Sequence, residues 1–389
     1  MIRIVLFDTP DRVRLFPLTA IRPVADLLSG ILTIRQKWER YSGNSCDVLT
    51  ESYLMGNISS PSGDTLYINA HLFVTAALAK EILDLESDSS LWSQENLLAF
   101  RTEVSVSYQE VTDMANGLKK VSSKSSVKLL RYPWQLVVWN AEAIATDFEL
   151  LTNGRKSAVI SNTNKLINRE QIFVESGADI DFCLINASSG PVYIGKDTTI
   201  MEGTMIRGPF ALLDNATVKM GACIYGGTTI GKHCIAGGEI KQSIIMSYSN
   251  KAHHGYLGDA VIGEWCNMGA GTSCSNIKNN AGEIDVFNPW LSEWITAGIK
   301  CGVMMGDYSR TAIHTAINTG TVIGICSNIV SNHLTNKYID SFIWDIATNQ
   351  KYKLEKAYTD IAQWMKLKDC AIAQHQKDIL LHLYNLNPS

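Results

Sequence analysis

The sequence has no excess of basic charge and no long hydrophobic run. Lysine and arginine together number 34, against 38 aspartate and glutamate residues, which gives a net charge of −4. A nucleic-acid-binding protein is usually basic, so this balance argues against that class. No stretch approaches the roughly 20 apolar residues of a membrane span. The apolar N-terminal run meets Asp8 too early for a signal peptide. We therefore expect a cytoplasmic protein with no nucleic-acid or membrane partner.

A paired cysteine framework is also missing. The nine cysteines are spread along the chain without a Cys-X-X-Cys pair, which argues against disulfides and favours a reducing compartment. Hydrophobic residues make up 46% of the chain and charged residues 19%, which is enough apolar material for a packed core. A length of 389 residues is typical of two or three domains.

The sequence does contain a six-residue repeat. Seven consecutive aliphatic residues keep this interval: Ile194, Ile200, Ile206, Leu212, Val218, Ile224 and Ile230. The phase slips around residues 235–250, breaks at 273–293, and returns with Ile299, Met305, Ile317, Ile323 and Ile329. Hexapeptide periodicity predicts a parallel β-helix, in which each strand turns one aliphatic side chain inward and the coils stack into one core. Glycine, asparagine and aspartate recur between the strands because corners need small or positive-φ residues.

The repeat divides the chain into three predicted parts. Residues 1–184 combine short apolar runs with amphipathic helical patterns and predict an α/β domain. Residues 185–335 contain the repeat and form the predicted β-helix. Residues 336–389 are charged and amphipathic and predict a C-terminal helical extension.

One stretch of the repeat region, residues 251–276, carries the candidate chemistry. It reads KAHHGYLGDAVIGEWCNMGAGTSCSN and contains two adjacent histidines, His253 and His254. Acyl transfer from a thioester needs a base for the acceptor and a donor for the oxyanion. Histidine, with an ordinary pKa of about 6.5, suits the base. The small residues around Ala270 let backbone N–H groups approach a ligand closely.

The same stretch resembles a known family. KAHHGYLGDAVIG, followed by NMGAGT and SN, resembles the acetyltransferase motif of the bifunctional N-acetylglucosamine-1-phosphate uridyltransferase/glucosamine-1-phosphate acetyltransferase family. The resemblance implies a nucleotidyltransferase-like domain followed by a left-handed β-helix, a homotrimer, and acetyl-CoA and a sugar 1-phosphate as reactants. It also implies His253 as the general base and Ala270 as the oxyanion donor. The histidine loop is one residue shorter than the family's, so His254 competes for the role of base.

The resemblance also implies a set of substrate-binding residues. They are Lys241, which matches a phosphate-binding lysine, together with Lys251, Tyr256, Asn267 and Asn276. One family position departs from the pattern, because a phosphate-binding arginine is replaced by Asp214. Arg207 and Lys219 are the candidate substitutes.

The N-terminal region resembles the family's nucleotidyltransferase pattern in its second half, RLFPLT followed by Pro23. In the first half, residues 7–11 (FDTPD) replace a glycine loop whose backbone N–H groups cradle phosphates, and aspartates there repel phosphate. The candidate nucleotide-binding residues are Arg14, Arg22 and Asn69. Mg²⁺ is expected only if this domain is active.

Three other functions stay open. The first is a sugar-1-phosphate nucleotidyltransferase acting through the N-terminal domain. The second is a non-catalytic scaffold that binds sugar nucleotides. The third is a zinc hydrolase or lyase on the coil, similar to γ-type carbonic anhydrases, which needs three converging histidines. Its candidate ligands are His233, His253, His254 and His314. The acyltransferase hypothesis requires no metal.

Overall fold

A computed structural model describes residues 2–55, 63–331, 333–345 and 350–386. The chain divides into two compact units. The first consists of residues 1–15, 21–28 and 32–131, and the second of residues 16–20, 29–31 and 132–389. No described helix combines the length and the apolar character of a membrane-spanning segment.

The first unit is built on a six-stranded mixed sheet. Its strands, in spatial order, are Cys46–Leu49, Arg3–Phe7, Thr65–Asn69, Asn96–Thr102, Ser89–Ser93 and Lys119–Ser122. The first three are parallel, and Asn96–Thr102 runs antiparallel to Thr65–Asn69. Ser89–Ser93 is antiparallel to Asn96–Thr102 and so runs in the direction of the first three strands. Its helices are α1 (Ile34–Ser42), α2 (Ala76–Leu83) and α3 (Val111–Gly117), with short 3₁₀ turns at Pro10–Leu15, Val24–Asp26 and Tyr108–Glu110. The predicted α/β domain is confirmed.

Apolar residues of the central strands form the core of this unit. Phe7, Tyr67 and Phe100 are almost completely buried, and the rings of Tyr67 and Phe100 stack with their centroids 4.6 Å apart. Strand Arg3–Phe7 has hydrogen-bonded neighbours on both sides. Residues 4–7 of this strand are all buried, so both of its faces are covered, and its sequence is an unbroken apolar run rather than an alternating pattern.

The second unit is a three-sided parallel β-helix. Side one has the strands Ile172–Val174, Val192–Ile194, Phe210–Leu212, Thr228–Ile230, Ile244–Ile245, Val261–Ile262, Met304–Met305, Val322–Ile323 and Tyr338–Ile339. Side two has Asp179–Ile180, Thr199–Ile200, Thr217–Val218, Ile235–Ala236, Asn250–Lys251, Asn267–Met268, Arg310–Thr311 and Asn328–Ile329. Side three has Lys165–Ile167, Leu184–Asn186, Met205–Arg207, Cys223–Ile224, Glu239–Lys241 and Tyr256–Gly258, followed by the pair Ser273–Cys274 and Ala316–Ile317. The predicted parallel β-helix is confirmed.

The pairing register explains the hexapeptide period. Val192 pairs with Phe210 and Phe210 with Thr228, so one coil takes eighteen residues, or three hexapeptides. The coil that starts at Ile230 is shorter, since Ile230 pairs with Ile245. This shortening is the phase slip seen in the sequence. The chain then leaves the coil after Cys274 and forms an antiparallel hairpin, Ile284–Asn288 with Glu293–Gly298, before it returns.

The repeated aliphatic residues fill the interior of the coil. All seven residues from Ile194 to Ile230 are buried in one continuous core cluster, which also contains Met305, Ile317, Ile323 and Ile329. The assignment of Ile299 to this series is wrong. It follows the hairpin and its side chain is 54% exposed. A spacing that is a multiple of six placed it in phase by coincidence.

The boundaries of the coil differ from those expected. Strand Lys165–Ile167 already pairs with Leu184–Asn186 on side three, so a boundary at residue 184 would cut through the first coils. The first coils are longer than eighteen residues, since Ile172 pairs with Val192 and Leu184 with Met205, so their strands do not keep the six-residue interval. At the other end, Tyr338–Ile339 still pairs with Val322–Ile323, beyond residue 335.

The long helix α4 (Pro133–Thr152) belongs to the second unit and packs on side one. Asn140 is fully buried at this contact. Its Oδ1 accepts the Gly30 N–H at 2.8 Å. Its Nδ2 donates to the Gly227 carbonyl at 2.9 Å and to Thr229 Oγ1 at 3.0 Å. The helix is therefore held on the coil by a buried polar network as well as by apolar packing.

Two C-terminal helices, α5 (Leu354–Lys366) and α6 (Gln374–Leu386), complete the second unit and confirm the predicted helical extension. Tyr384 of α6 packs edge-on against Phe342, with ring centroids 5.1 Å apart. Lys368, which lies between the two helices, donates hydrogen bonds to the His233 carbonyl and to Asn250 Oδ1. The helices thus cover the corner between sides one and two.

Candidate functional site

The predicted base and oxyanion donor lie on stacked turns of one corner. We call residues 252–255, 269–272 and 312–315 the histidine corner, because each segment connects side two to side three in successive coils. His253 lies in the first segment and Ala270 in the second. Neighbouring strands in a sheet are about 4.8 Å apart, so the two residues belong to adjacent layers of the same corner.

Glycines allow the His253 loop to lie tightly between its neighbours. Gly238, in the coil below, has a φ of +75°, and a Cβ there would lie 2.7 Å from the His253 carbonyl oxygen. Gly255 has a φ of +117°, and a Cβ there would lie 2.2 Å from the Thr272 carbonyl oxygen. These contacts leave no room for a side chain at either position.

Hydrogen bonds connect the layers of the histidine corner. The Gly271 N–H donates to the His254 carbonyl at 3.2 Å, and the His314 N–H donates to the Ala270 carbonyl at 2.7 Å. The N–H of Ala270 has no partner within the part of the chain that the structure describes. Both His253 and His254 are exposed. The corner therefore offers two accessible imidazoles next to one unused backbone donor.

Lys251 does not play the predicted substrate-binding role. Its side chain points into the coil and is 3% exposed. Its Nζ donates to the His253 carbonyl at 2.6 Å and to the Gly237 carbonyl at 3.0 Å. Burial lowers the pKa of this lysine to about 8. A buried amine that is already bonded to two carbonyls is not available to a ligand.

The structure brings Tyr256 and Asn276 together with a third residue that the sequence analysis missed. We call Tyr256, Asp259 and Asn276 the tyrosine cluster. Asn276 Nδ2 donates to the Tyr256 hydroxyl at 3.0 Å and also to the Asp259 carboxylate. Burial and the nearby Asp259 charge raise the pKa of Tyr256 to about 12, and burial raises the pKa of Asp259. The phenol hydroxyl therefore stays protonated near neutral pH.

Lys241 lies next to this cluster on side three. Gly258 pairs with Lys241 in the sheet register, and the Asp259 N–H donates to the Lys241 carbonyl at 3.1 Å. The positive charges of Lys300 and Lys241 lower the pKa of Asp259 against the larger effect of burial. The ammonium of Lys241 lies 6.0 Å from the centre of the Tyr225 ring. A cation therefore flanks the tyrosine cluster.

Asn267 lies apart from the tyrosine cluster within one chain. It is on side two, where it pairs in register with Asn250 and Arg310. The predicted site residues are thus divided over three places: the histidine corner, the tyrosine cluster and side two. The six-residue spacing predicts which coil a residue belongs to. Because the coils differ in length, it does not predict on which of the three sides the residue lies.

The two candidate substitutes for the missing phosphate-binding arginine also have different positions. Arg207 is exposed at the end of a side-three strand and lines a surface cavity of about 680 Å³. Lys219 lies in the corner segment below Gly237, two levels before the histidines. Asp214 instead forms an ion pair with Lys232 at 3.1 Å, in the corner between sides one and two.

The N-terminal unit has a cavity of about 430 Å³, lined among other residues by Asp8, Asp11, Asn69, Glu95 and Arg131. Asp8 is buried, and burial raises the pKa of its carboxyl. The carboxylate accepts hydrogen bonds from the Val24 N–H at 3.1 Å, the Thr50 hydroxyl at 2.5 Å and Arg12 Nε at 3.3 Å. Asp8 therefore organises the loop that takes the place of the glycine loop.

The candidate nucleotide-binding residues have protein partners. Arg14 pairs with Asp11 at 3.0 Å. Arg22 is buried near Asp26. Burial raises the pKa of the Asp26 carboxyl, and the charges of Arg35 and Arg22 oppose this effect. Asn69 Nδ2 donates to the Leu97 carbonyl at 2.9 Å, and its Oδ1 accepts the His71 N–H at 2.9 Å. Both ends of the Asn69 amide are therefore in use.

These residues do not fit a magnesium site. Mg²⁺ prefers carboxylate oxygens and substrate phosphates, but the Asn69 amide oxygen is occupied and Asp8 is bonded to the loop. Within the described ranges, no three side chains of the His, Cys, Asp or Glu type are grouped so that they could hold a metal ion. The four candidate zinc ligands do not form such a group within these ranges either. The rings of His254 and His314 are 6.2 Å apart, centre to centre, and no third ligand joins them in the described part of the chain.

Sequence comparison relates this chain to sugar nucleotidyl transferases and to bifunctional GlmU proteins. Residues 4–156 match the family model for sugar nucleotidyl transferases. The bifunctional protein GlmU of Clostridium beijerinckii is 38% identical over 191 residues, which is 43% of this chain and 41% of that protein. GlmU of Trichodesmium erythraeum is 37% identical over 86 residues, 22% of this chain and 18% of that protein.

The matches cover only part of each relative. GlmU of a Wolbachia strain is 29% identical over 155 residues, 33% of this chain and 36% of that protein. The chain thus spans about a fifth to two fifths of the length of these relatives. Among solved structures, the polysialic-acid-specific acetyltransferase NeuO aligns with a TM-score of 0.26 and 13% identity, over 47% of this chain and 82% of that one. The sequence matches to the GlmU proteins confirm the predicted resemblance to that bifunctional family.

Proposed function

We propose that the coil is an acetyl-CoA-dependent acyltransferase that acts on a sugar 1-phosphate or a related amino sugar. The observation that carries this proposal is the histidine corner, where the exposed His253 and the unused Ala270 N–H lie on adjacent layers. A base and an oxyanion donor are the two groups that acyl transfer requires.

In the proposed reaction, His253 takes a proton from the acceptor amine as its nitrogen attacks the thioester carbonyl. The carbon–nitrogen bond forms, the oxyanion is held by the Ala270 N–H, and the carbon–sulfur bond then breaks. The CoA thiolate leaves and is protonated by the imidazolium. Tyr256, Asn276 and Lys241 bind the acceptor, with Lys241 supplying the charge that a phosphate needs. Asn267, on side two, is proposed to contact the same reactants from a neighbouring chain.

The proposed assembly is a homotrimer in which neighbouring coils share the site. Side three supports self-association, because its outward residues Ile167, Leu184 and Met205 are 54%, 47% and 45% exposed. A row of apolar side chains on a flat face is typical of a protein interface. Asn267 and the tyrosine cluster lie on different sides of one chain, and a neighbouring coil would bring them together.

The test is an assay of thiol release from acetyl-CoA with three acceptors: an amino-sugar 1-phosphate, the same amino sugar without phosphate, and an N-acetylated control. Acceptor-dependent release with an N-acetylated product, identified by mass spectrometry, supports the proposal. Release no faster than hydrolysis with every acceptor contradicts it. Stoichiometric zinc in the purified protein also contradicts it, in favour of a metal enzyme. Tight binding of sugar nucleotides without turnover favours the scaffold.

A further inference from the structure

A lysine interrupts the apolar interior of side two at the level of the proposed base. The sheet register aligns the inward positions Ile200, Val218, Ala236 and Lys251 in successive coils. The first three are fully buried apolar residues. Lys251 occupies the same interior position, next to the small side chain of Ala236.

A lysine is an expensive choice for this position. Moving an ammonium group out of water costs several kcal/mol unless polar partners replace the water. The partners here are two backbone carbonyls, those of His253 at 2.6 Å and Gly237 at 3.0 Å. Methionine or leucine would fill the same space without this cost. The structural effect specific to lysine is therefore the pair of hydrogen bonds that it donates toward the corner.

These bonds determine the position of the His253 loop from inside the coil. Within the described residues, Lys251 is the only side chain that donates to a carbonyl of residues 252–255. The loop is otherwise held by backbone bonds and by close contacts at glycines, of which Gly255 against Thr272 and Gly237 against Ala252 are the tightest. Glycines impose little direction of their own because they have no side chain.

A second polar interior residue has a matching arrangement two layers further along. Thr311 pairs with Met268 in the sheet register, at an interior position of side two. Its Oγ1 accepts the Gly269 N–H at 3.0 Å and lies 2.8 Å from the Thr272 hydroxyl. The segment that carries Ala270 is thus also fixed by a polar side chain inside the coil.

We infer that Lys251 is a positioning residue for the proposed base, and that it holds the His253 loop in register with the Ala270 layer. This inference rests on the proposed acyl transfer. Lys251 does not touch the reactants and exchanges no proton with them. Its amine retains at least two N–H donors in either protonation state, so the clamp operates when the lysine is charged and when it is neutral.

The test compares Lys251→Met, which removes both donors, with Lys251→Gln, which keeps an N–H donor group on a shorter chain. The matched control is Ser249→Ala. Ser249 is buried in the same coil, but its hydroxyl bonds Gly263 and Cys266 at a different corner. We expect kcat to fall by about tenfold to a hundredfold in Lys251→Met with KM for acetyl-CoA within about threefold, because displacement of a catalytic group affects the chemical step. Lys251→Gln should recover part of kcat, and Ser249→Ala should keep it.

Hydrogen exchange supplies a readout that does not depend on activity. The Gly271 amide donates to the His254 carbonyl, so its exchange rate reports whether the loop has moved. We expect it to exchange at least about tenfold faster in Lys251→Met and at an unchanged rate in Ser249→Ala. The inference is overturned if kcat and Gly271 exchange are unchanged, if exchange rises equally throughout the coil, or if neither lysine variant folds. A wild-type protein without acetyl transfer would contradict the proposed function, while Gly271 exchange would still decide whether Lys251 holds the loop.

Discussion

The ammonium of Lys251 and the backbone carbonyl of His253 are 2.6 Å apart, so a residue of the coil interior is bonded directly to the segment that carries the proposed base. In most coils of side two the same interior position only fills space. Here the core and the site share a hydrogen bond, and changes in the core are therefore expected to affect the chemistry.

The first prediction concerns stability as a function of pH. Burial lowers the pKa of Lys251 to about 8, from an ordinary value of 10.5. Between these values the unfolded chain binds the proton and the folded chain does not, so this group makes stability rise as pH rises from about 8 to 10.5. The wild type should gain up to about 3 kcal/mol relative to Lys251→Met across this window. Urea unfolding of both proteins at pH 7.5 and 10.5 measures it, and a difference that is the same at both pH values would contradict it.

The second prediction concerns the tyrosine cluster. Asn276→Ala removes the amide that bonds both Tyr256 and Asp259, so the proposed acceptor pocket loses its shape. We expect KM for the acceptor to rise at least about tenfold and KM for acetyl-CoA to stay within about threefold, since each of the two lost part-buried hydrogen bonds is worth about 0.5–1.5 kcal/mol. Steady-state kinetics with each substrate varied in turn measures this. Asn280→Ala, an exposed asparagine in the same excursion from the coil, is the control. Equal effects of the two variants on KM for the acceptor would show that the tyrosine cluster is not part of the acceptor site.

The third prediction concerns the buried network of helix α4. Asn140→Ala leaves the Gly30 N–H and the Gly227 carbonyl without this partner. Unpaired buried polar groups cost about 1–3 kcal/mol each, so we expect a loss of about 2–3 kcal/mol, measured from hydrogen exchange of the Gly30 amide. Thr146→Ala, at a half-buried position of the same helix away from the network, should change this exchange by less than about 0.5 kcal/mol. Unchanged protection in Asn140→Ala would mean that the network does not hold the helix.

The fourth prediction concerns the N-terminal cavity. Asp8 and Asp11 take the place of a phosphate-binding loop, and Arg131 is bonded to Asp11 and to Asn96. We therefore expect no pyrophosphate release from UTP or dTTP with a sugar 1-phosphate and Mg²⁺. Thermal unfolding should show no Mg²⁺-dependent stabilisation by the nucleotide. Turnover that is lost in Asp11→Ala would show instead that this cavity is a nucleotidyl transfer site.

Much of the fold follows from the repeat itself. The interval from Ile194 to Ile230 predicted a parallel β-helix because each inward position has to be apolar when coils stack. The same rule failed at Ile299, where a hairpin happens to preserve the count of six. It also missed the first coils, whose strands begin at Lys165, since these coils are longer than eighteen residues and break the interval of six.

The candidate site was less predictable. Lys251 is a charged residue next to the two histidines of the motif. Because a lysine is usually exposed, its burial could not be expected from the sequence. Its burial depends on coil register, which shifts by several residues after Ile230. Asp259 was missed for a related reason, because its contact with Asn276 crosses from one coil to the next. The sequence identified the corner, and the structure was needed to show which side chains turn inward.

The proposal that His253 is the general base is tested most directly by kcat for acetyl transfer in His253→Ala and His254→Ala, measured side by side on folded protein. Both histidines are exposed in the same loop, so either substitution should leave the fold intact, and each variant controls for the other. The account predicts that His253→Ala loses activity by a factor of about 10² to 10⁴, the usual contribution of a general base, while His254→Ala stays within about threefold of the wild type. Full activity in His253→Ala would contradict it.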